Sequence, residues 1–347
     1  VLDTKAPGFE LSVVVADNFS QDDSLVFLKA HPSYRDQLHI VAMTTNHGFA
    51  GGYNEALQRV EADYYVLLNS DVEVAGDWLS PLVNALEEDP GLGAVQPKMR
   101  WHRHPRQFEY AGAAGGFIDR LGYPFCRGRM FQSLERDEGQ YDGPSPIFWA
   151  SGAALCIRAR LYHRLGGLDA DFFAHMEEID LCWRMQHAGY RIGYVPASVV
   201  YHVGGATLDS GSPRKTYLNF RNNLALLHKN LPPSEHGWVL AARVGLDLLA
   251  AAKDFAQGRK GHAGAIFRAW HDYLKRWRHW RRLRRGIRPR SMKTLPGVFC
   301  GSIVWEVFVR GKKRFSQLPP HRFVGQAEES ETAQRDRAST WAKDGPR

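Results

Sequence analysis

Cysteine is nearly absent from this sequence: Cys126, Cys156, Cys182 and Cys300 are the four in 347 residues, far apart and with no CxxC pair. That spacing argues against a disulfide scaffold, a zinc knuckle and an iron-sulfur site, and it fits a reducing compartment. Long hydrophobic runs are missing too. The longest, Val239 to Ala252, is interrupted by Arg243 and Asp247 and is shorter than the roughly 20 residues a bilayer-spanning helix needs. There is neither a Walker A loop nor a GxGxxG turn, so ATPase and Rossmann dehydrogenase readings lack their defining element. No signal-peptide pattern opens the sequence.

What is present is globular. With 44% hydrophobic and 24% charged residues, the chain is too long and too apolar for a disordered tail. Lys and Arg total 45 against 37 Asp and Glu, a formal charge of +8. From Leu11 to about Tyr201, short β-branched runs at Leu11–Ala16, Leu38–Met43, Tyr64–Leu68 and Leu92–Gln96 alternate with stretches long enough for crossover helices. The expected class is α/β, a mostly parallel Rossmann-like sheet flanked by helices. In such a sheet Asp17 and Asn18, Asn46 to Gly48, and Asn69 to Asp71 share the rim at the strands' carboxyl ends. The Gly48 to Gly52 stretch is expected to lead into a helix at about Tyr53–Val60.

Four regions are expected: 1–98 and 99–232, which the resemblance described below implies are a nucleotide-sugar-binding half and an acceptor-binding and catalytic half, 233–324 as a helical basic extension, and 325–347 as a disordered polar tail. Within 99–232, the Gly-, Arg- and aromatic-rich stretch Lys98–Pro146 is expected to form hairpins and loops over the rim. In the extension, Phe267, Trp270, Leu274, Trp277, Trp280 and Leu283 recur at helical spacing among seven nearby Lys and Arg residues. A Trp stripe beside a dense basic face suits the surface of an anionic membrane; the alternatives are packing onto the main domain and nucleic-acid binding, the last being disfavoured.

Three constellations carry chemistry. Asn69-Ser-Asp71 follows a hydrophobic strand, where a carboxylate can hold Mg²⁺ or Mn²⁺ or simply cap the next helix. Glu177-Glu-Ile-Asp180-Leu-Cys-Trp-Arg184 opens a helix; Asp180 can pair with Arg184 one turn on, leaving a neighbouring carboxylate free to accept a proton. His202, after a strand and before a Gly-rich turn, could complete a metal site with Asp71 or hydrogen-bond a loop.

Taken in order, Asp17-Asn-Phe-Ser20, Asn46-His-Gly-Phe-Ala-Gly-Gly-Tyr-Asn54, Asn69-Ser-Asp71, the Glu177–Arg184 segment and His202 resemble the inverting family 2 glycosyltransferases of the GT-A fold, in their bacterial rhamnosyltransferase-like branch. The resemblance spans about Pro7 to Pro232. It implies a nucleotide-sugar pocket formed by Asp17, Asn18, Asn46, Gly48, Gly51, Gly52, Asn54 and Asn69, and a divalent cation at Asp71 and His202. It implies Glu178 as general base where the family usually has aspartate, with Asp180 and Arg184 orienting its helix. Trp149 is a candidate stacking platform for a sugar, with a core aromatic as the alternative. A dTDP- or UDP-linked donor, a saccharide or lipid-linked glycan acceptor and a cytoplasmic, membrane-peripheral location are implied as well. Family members carry a strand and helix ahead of the Asp17 strand, of which Val1–Lys5 corresponds only to the end. A sugar-phosphate nucleotidyltransferase and an inactive, membrane-surface binding relative are the competing readings.

Overall fold

A computed structural model describes residues 1–5, 8–204, 211–284 and 286–325, so the expected polar tail falls almost wholly outside the described residues. The first part runs β1 (Val13–Asp17), α1 (Ser24–Lys29), β2 (Leu38–Ala42), α2 (Gly48–Leu57), β3 (Tyr64–Leu68), β4 (Val72–Val74), α3 (Ser80–Glu88) and β5 (Leu92–Trp101). The Lys98–Pro146 stretch then forms β6 (His104–Phe108), β7 (Gly116–Asp119), β8 (Pro124–Cys126), β9 (Arg129–Met130), β10 (Ser133–Leu134) and the start of β11 (Ser145–Ile147). After β12 (Ala154–Arg158), α4 (Ala159–Arg164), α5 (Glu177–His187) and β13 (Arg191–His202), the chain turns helical. It continues as α6 (Pro213–Asn230), α7 (Pro233–Ala256), α8 (Lys260–Lys275) and α9 (Trp277–Leu283), and returns through β14 (Val298–Phe299) and α10 (Ile303–Phe308).

The α/β class with flanking helices is as expected, and the sheet itself is mixed rather than mostly parallel. Its order is β11-β13-β5-β12-β3, with β4 on β13 and β6 on β5. β13 runs parallel to β5, whereas β12 is antiparallel to both β5 and β3. The reason is the path of the chain. It leaves the carboxyl end of β5, makes its excursion and comes back to the same rim, where Asn69 N donates to Ala153 O at 3.0 Å. A strand entering from that side has to descend antiparallel. β1 and β2 pair in parallel as a separate two-stranded sheet.

The sheet is buried on both faces. Leu82 and Leu86 of α3 pack with Val95, Cys156 and Val200 on one side, and Ile179, Leu181 and Met185 of α5 pack with Ala94, Leu155 and Ile192 on the other. Helix α2 begins at Gly48 rather than near Tyr53, so the glycines form its first turns. The excursion builds a second sheet, ordered β10-β9-β8-β7-β14, whose edge strand β14 comes from the far end of the chain and pairs in parallel with β7.

The stripe's tryptophans in the basic extension pack inward onto the main domain, the alternative to a stripe that lies wholly on a membrane. Trp280 is fully buried and stacks on Phe172 with the ring centroids 6.5 Å apart. Tyr273 is buried with its hydroxyl 2.9 Å from His228 Nδ1, and Trp277 packs edge-on against His228 at 4.3 Å. The basic side chains Lys275, Arg278, Arg281 and Arg282 remain exposed. Of the stripe, Phe267 and Leu274 alone are exposed.

Trp280→Ala is therefore expected to lower stability by roughly 3 kcal/mol or more in urea unfolding. Leu274→Ser should shift it by less than about 0.5 kcal/mol.

Candidate functional site

The site is built on a strained turn. Phe173, His175 and Met176 all have positive φ, at 64°, 72° and 77°, immediately before α5. Such backbone costs on the order of 1 kcal/mol or more per residue and persists only where its surroundings hold it. Here α6 does so. Asn222, fully buried, donates through Nδ2 to the carbonyls of Phe172, Ala174 and His175 at 2.9, 2.8 and 2.8 Å. Arg221 donates to the carbonyls of Asp171 and Phe172, both at 3.0 Å, and also to Asn222 Oδ1. The turn meets the start of α2, where Phe49 N donates to Phe173 O at 2.9 Å. Gly48, with φ +70°, has no room for a side chain: a Cβ would stand 2.6 Å from the Phe173 ring.

The turn delivers Glu177 and Glu178 to the first turn of α5. One carboxylate oxygen of each is shielded from solvent and has no hydrogen-bond partner. Burial raises the Glu177 pKa well above the usual carboxylate range, with the adjacent Glu178 adding to the shift. Burial also pushes the Glu178 carboxyl up to about 7, against the pull of backbone amides at the helix start. Glu178 Cβ lies 3.7 Å from where a Cβ on Gly152 would sit. The next residue, Ala153, accepts from Asn69 N, so the segment against which Glu178 packs is bonded to the Asn69–Asp71 turn.

Asp180 and Arg184 lie behind this front and hold it. Asp180 is fully buried and accepts from Arg184 Nε at 2.7 Å, Lys229 Nζ at 2.9 Å and Asn230 Nδ2 at 2.9 Å. Burial alone would raise its pKa, but the charges of Lys229 and Arg184 keep it down at about 2. The contribution to stability is thus complete above the ordinary aspartate pKa and is lost only as pH falls through that lowered value. Arg184 also donates to the carbonyls of Leu165 and Gly167. Both residues position α5, as the resemblance implies, and neither presents a free group for the reaction.

Asp71 and His202 meet. Asp71 follows β3 and His202 ends β13, and His202 Nε2 is 3.2 Å from Asp71 Oδ1. The other ring nitrogen, Nδ1, is 3.0 Å from Oε1 of Glu109, a buried residue that no sequence pattern marked. Glu109 is itself held by the Ala111 amide. Burial alone would depress the imidazole pKa; the Glu109 and Asp71 carboxylates on its two sides outweigh that and raise it. The donor set suits a divalent cation. Two neighbouring ligands of an octahedral ion at about 2.1 Å stand about 3 Å apart, close to the spacing of this pair. A carboxylate close to the second imidazole nitrogen favours a proton there and leaves Nε2 to bind. Among the described residues, no group of three or more His, Cys, Asp or Glu side chains is placed to hold a metal ion, so the protein itself offers at most this pair.

The expected donor-pocket residues divide. Asp17 is buried at the end of β1. Asn18 joins the β1 and β2 turns, accepting from His47 N at 2.9 Å and donating to Gly48 O at 2.9 Å, and Asn46 Oδ1 accepts from Gly48 N at 2.8 Å. At Gly52 a Cβ would come 3.2 Å from Asn18 Nδ2, so that glycine lets α2 approach β1. Gly51 lies in the same first turns of α2. Asn54 does not face this pocket. Its amide is used on the loop before α5, donating to Leu168 O at 2.7 Å and accepting from Leu168 N at 3.0 Å and Tyr162 OH at 2.6 Å. Trp149 is no stacking platform: it is buried, covers Gly116 and donates from Nε1 to Phe117 O at 2.9 Å.

Among known families, the Glycosyl transferase family 2 model matches residues 1–146. The chain is 26% identical over 211 residues to an N-acetylglucosaminyl-diphospho-decaprenol L-rhamnosyltransferase of Mycobacterium tuberculosis, covering 55% of this chain and 66% of the relative. It is 24% identical over 224 residues to the low-salt glycan biosynthesis hexosyltransferase Agl10 of Haloferax volcanii, covering 60% and 64%. The match thus spans just under two thirds of each of these relatives. GalNAc-T7, in a crystal structure with UDP, GalNAc and Mn²⁺, matches with a TM-score of 0.54 at 13% identity, over 80% of this chain and 53% of that one. The fold is GT-A-like.

Two outcomes check the site's construction. Asn222→Ala removes the side-chain donor from the Ala174 and His175 carbonyls, while Phe172 O keeps Arg221, and should cost roughly 1–3 kcal/mol in urea unfolding. Glu109→Gln removes the charge facing Nδ1, so the His202 pKa should fall in a histidine NMR titration of the metal-free protein.

Proposed function

We propose that this protein is a metal-dependent, inverting glycosyltransferase that moves a sugar from a nucleoside diphosphate sugar to a hydroxyl of a saccharide or lipid-linked saccharide. The observation that carries the reading is Glu178, a carboxylate with one unpartnered oxygen and a raised pKa, packed on the Gly152–Ala153 segment that bonds the Asn69–Asp71 turn. A carboxyl group near pH 7 is poised to take a proton from an acceptor hydroxyl. With Glu178 as base, the hydroxyl oxygen attacks the anomeric carbon in line, the bond to the diphosphate breaks, and the configuration inverts. Asp71 and His202 would hold the cation, and Mg²⁺ or Mn²⁺ bound there would supply charge neutralisation for the departing diphosphate.

Asp17, Asn18 and Asn46 surround the nucleotide in this reading, with Gly48, Gly51 and Gly52 letting backbone approach it and the amino end of α2 favouring its negative charge. Asn69, at the first position of the metal turn, completes the pocket. A dTDP- or UDP-linked sugar is the donor class, supported by the rhamnosyltransferase relative and by the UDP of the structural neighbour. The diphospho-decaprenol in the relative's name supports a lipid-linked acceptor.

Calorimetric titration with nucleoside diphosphates, with and without Mn²⁺, tests the reading first: metal-dependent binding that prefers one base is expected, and a folded protein that binds none overturns it. Asp71→Asn should weaken that metal-dependent binding severalfold. Glu178→Gln should keep donor binding and lose nearly all turnover. Since the base must be ionised, wild-type turnover should rise with pH through the elevated Glu178 pKa, so its acid limb lies above the ordinary carboxylate range.

A further inference from the structure

Helix α7 is built inside out. Its buried stripe, Val239, Arg243, Asp247 and Ala251, contains both of the charges that interrupt the longest apolar run of the sequence. Arg243 donates to Asp247 Oδ1 at 3.2 Å and to Asn223, and Tyr123 OH and Trp270 Nε1 donate to Asp247 at 3.2 and 3.0 Å. With its charges satisfied inside, α7 turns Val244, Leu248, Leu249 and Phe255 to the outside, with Leu249 68% and Phe255 61% exposed. A surface helix normally shows the reverse arrangement.

The exposed face continues onto both neighbours. The Trp270–Asp247 bond fixes which flanks of α8 and α7 meet. Phe267 and Leu274 lie one turn to either side of Trp270, and Val244 and Leu248 flank Asp247, so these four exposed side chains border one seam. On the other flank, Lys253 Nζ stands 4.9 Å over the Phe308 ring, joining α7 to α10, where Trp305 and Phe308 are also exposed. Basic side chains stand on the same elements: Lys253 and Lys260 lie 4.9 and 5.8 Å from the Phe308 and Phe255 ring centroids, Lys275, Arg278 and Lys313 are exposed next to or a few residues beyond the exposed apolar residues in sequence, and Arg310 is exposed and paired with Glu306. An apolar face, cations on the same elements and an exposed tryptophan match the chemistry of an anionic bilayer surface. A second copy would bring two sets of cations together. No helix among the described residues is long and apolar enough to cross a membrane, so the contact is with the surface.

We propose that the outer face of α7, extended by Phe267 and Leu274 of α8 and by Trp305 and Phe308 of α10, docks the protein on an anionic lipid bilayer. This deepens the lipid-linked acceptor reading and rests on it for its purpose, while the contact itself rests on the exposed face. The test is flotation of the full chain with phosphatidylcholine vesicles and with vesicles containing 30% phosphatidylglycerol. Salt-sensitive binding to the anionic vesicles is expected, falling about tenfold in Leu248→Ser/Leu249→Ser and again in Phe267→Ser/Leu274→Ser. Circular dichroism and urea midpoints confirm that each variant is folded, and either pair suffices if the other fails to fold. Undiminished binding by folded variants overturns the proposal, as does a wild type that ignores the vesicles and instead runs as a dimer that these substitutions dissociate. Nucleotide titration of the same variants separates the two readings: vesicle binding without nucleotide binding sinks the transferase and leaves the docking face, and the converse does the opposite.

Discussion

The active-site geometry depends on the three carbonyls that Asn222 gathers. A run of left-handed residues at Phe173, His175 and Met176 would relax without that amide, and with it would go the direction in which α5 sets out. Because the same turn receives the Phe49 amide from α2, one buried side chain of α6 fixes the carboxylates relative to the glycine-rich helix start. The strain is local, and the packing that sustains it comes from the helical region after Pro213. The catalytic half and the helical region are therefore one mechanical unit at this point.

Charge is arranged in depth around that turn. At the front, Glu177 and Glu178 are left short of partners, which favours their protonated forms. One turn further in, Asp180 has three donors and stays ionised. Carboxylates on a single helical turn thus differ widely in proton affinity because one meets Lys229, Arg184 and Asn230 and the others do not. His202, in turn, has a carboxylate near each ring nitrogen, Asp71 at Nε2 and Glu109 at Nδ1.

Much of this was legible in the residue order. The strand ends carrying Asp17, Asn46 and Asp71 follow from β-branched runs ended by Asn and Gly, and the Asp180–Arg184 pair follows from helical spacing. Glu109 was not legible, since it sits in a stretch with weak periodicity and reaches His202 across 93 positions of sequence. Asn54 and Trp149 misled for a shared reason: each belongs to a residue type that serves ligands and cores alike, and only their saturated hydrogen bonds separate the two uses. The Trp stripe misled because helical spacing reveals that a face is apolar and not what covers it. In α7 the sequence showed two charges inside an apolar run, and the fold turned them inward through Tyr123, Asn223 and Trp270.

The parallel pairing of β14 with β7 has a temporal consequence. Val298 pairs with Ile118 and Phe299 with Asp119, so the edge of the second sheet stays open until nearly the whole described chain has left the ribosome. Phe117 and Phe125 likewise wait for Phe299, Phe315 and Phe323 to enclose them. An open strand edge beside unburied phenylalanines is a template for misassociation. Synthesis of this protein thus has a vulnerable interval, bounded at one end by the emergence of β7 and at the other by that of β14.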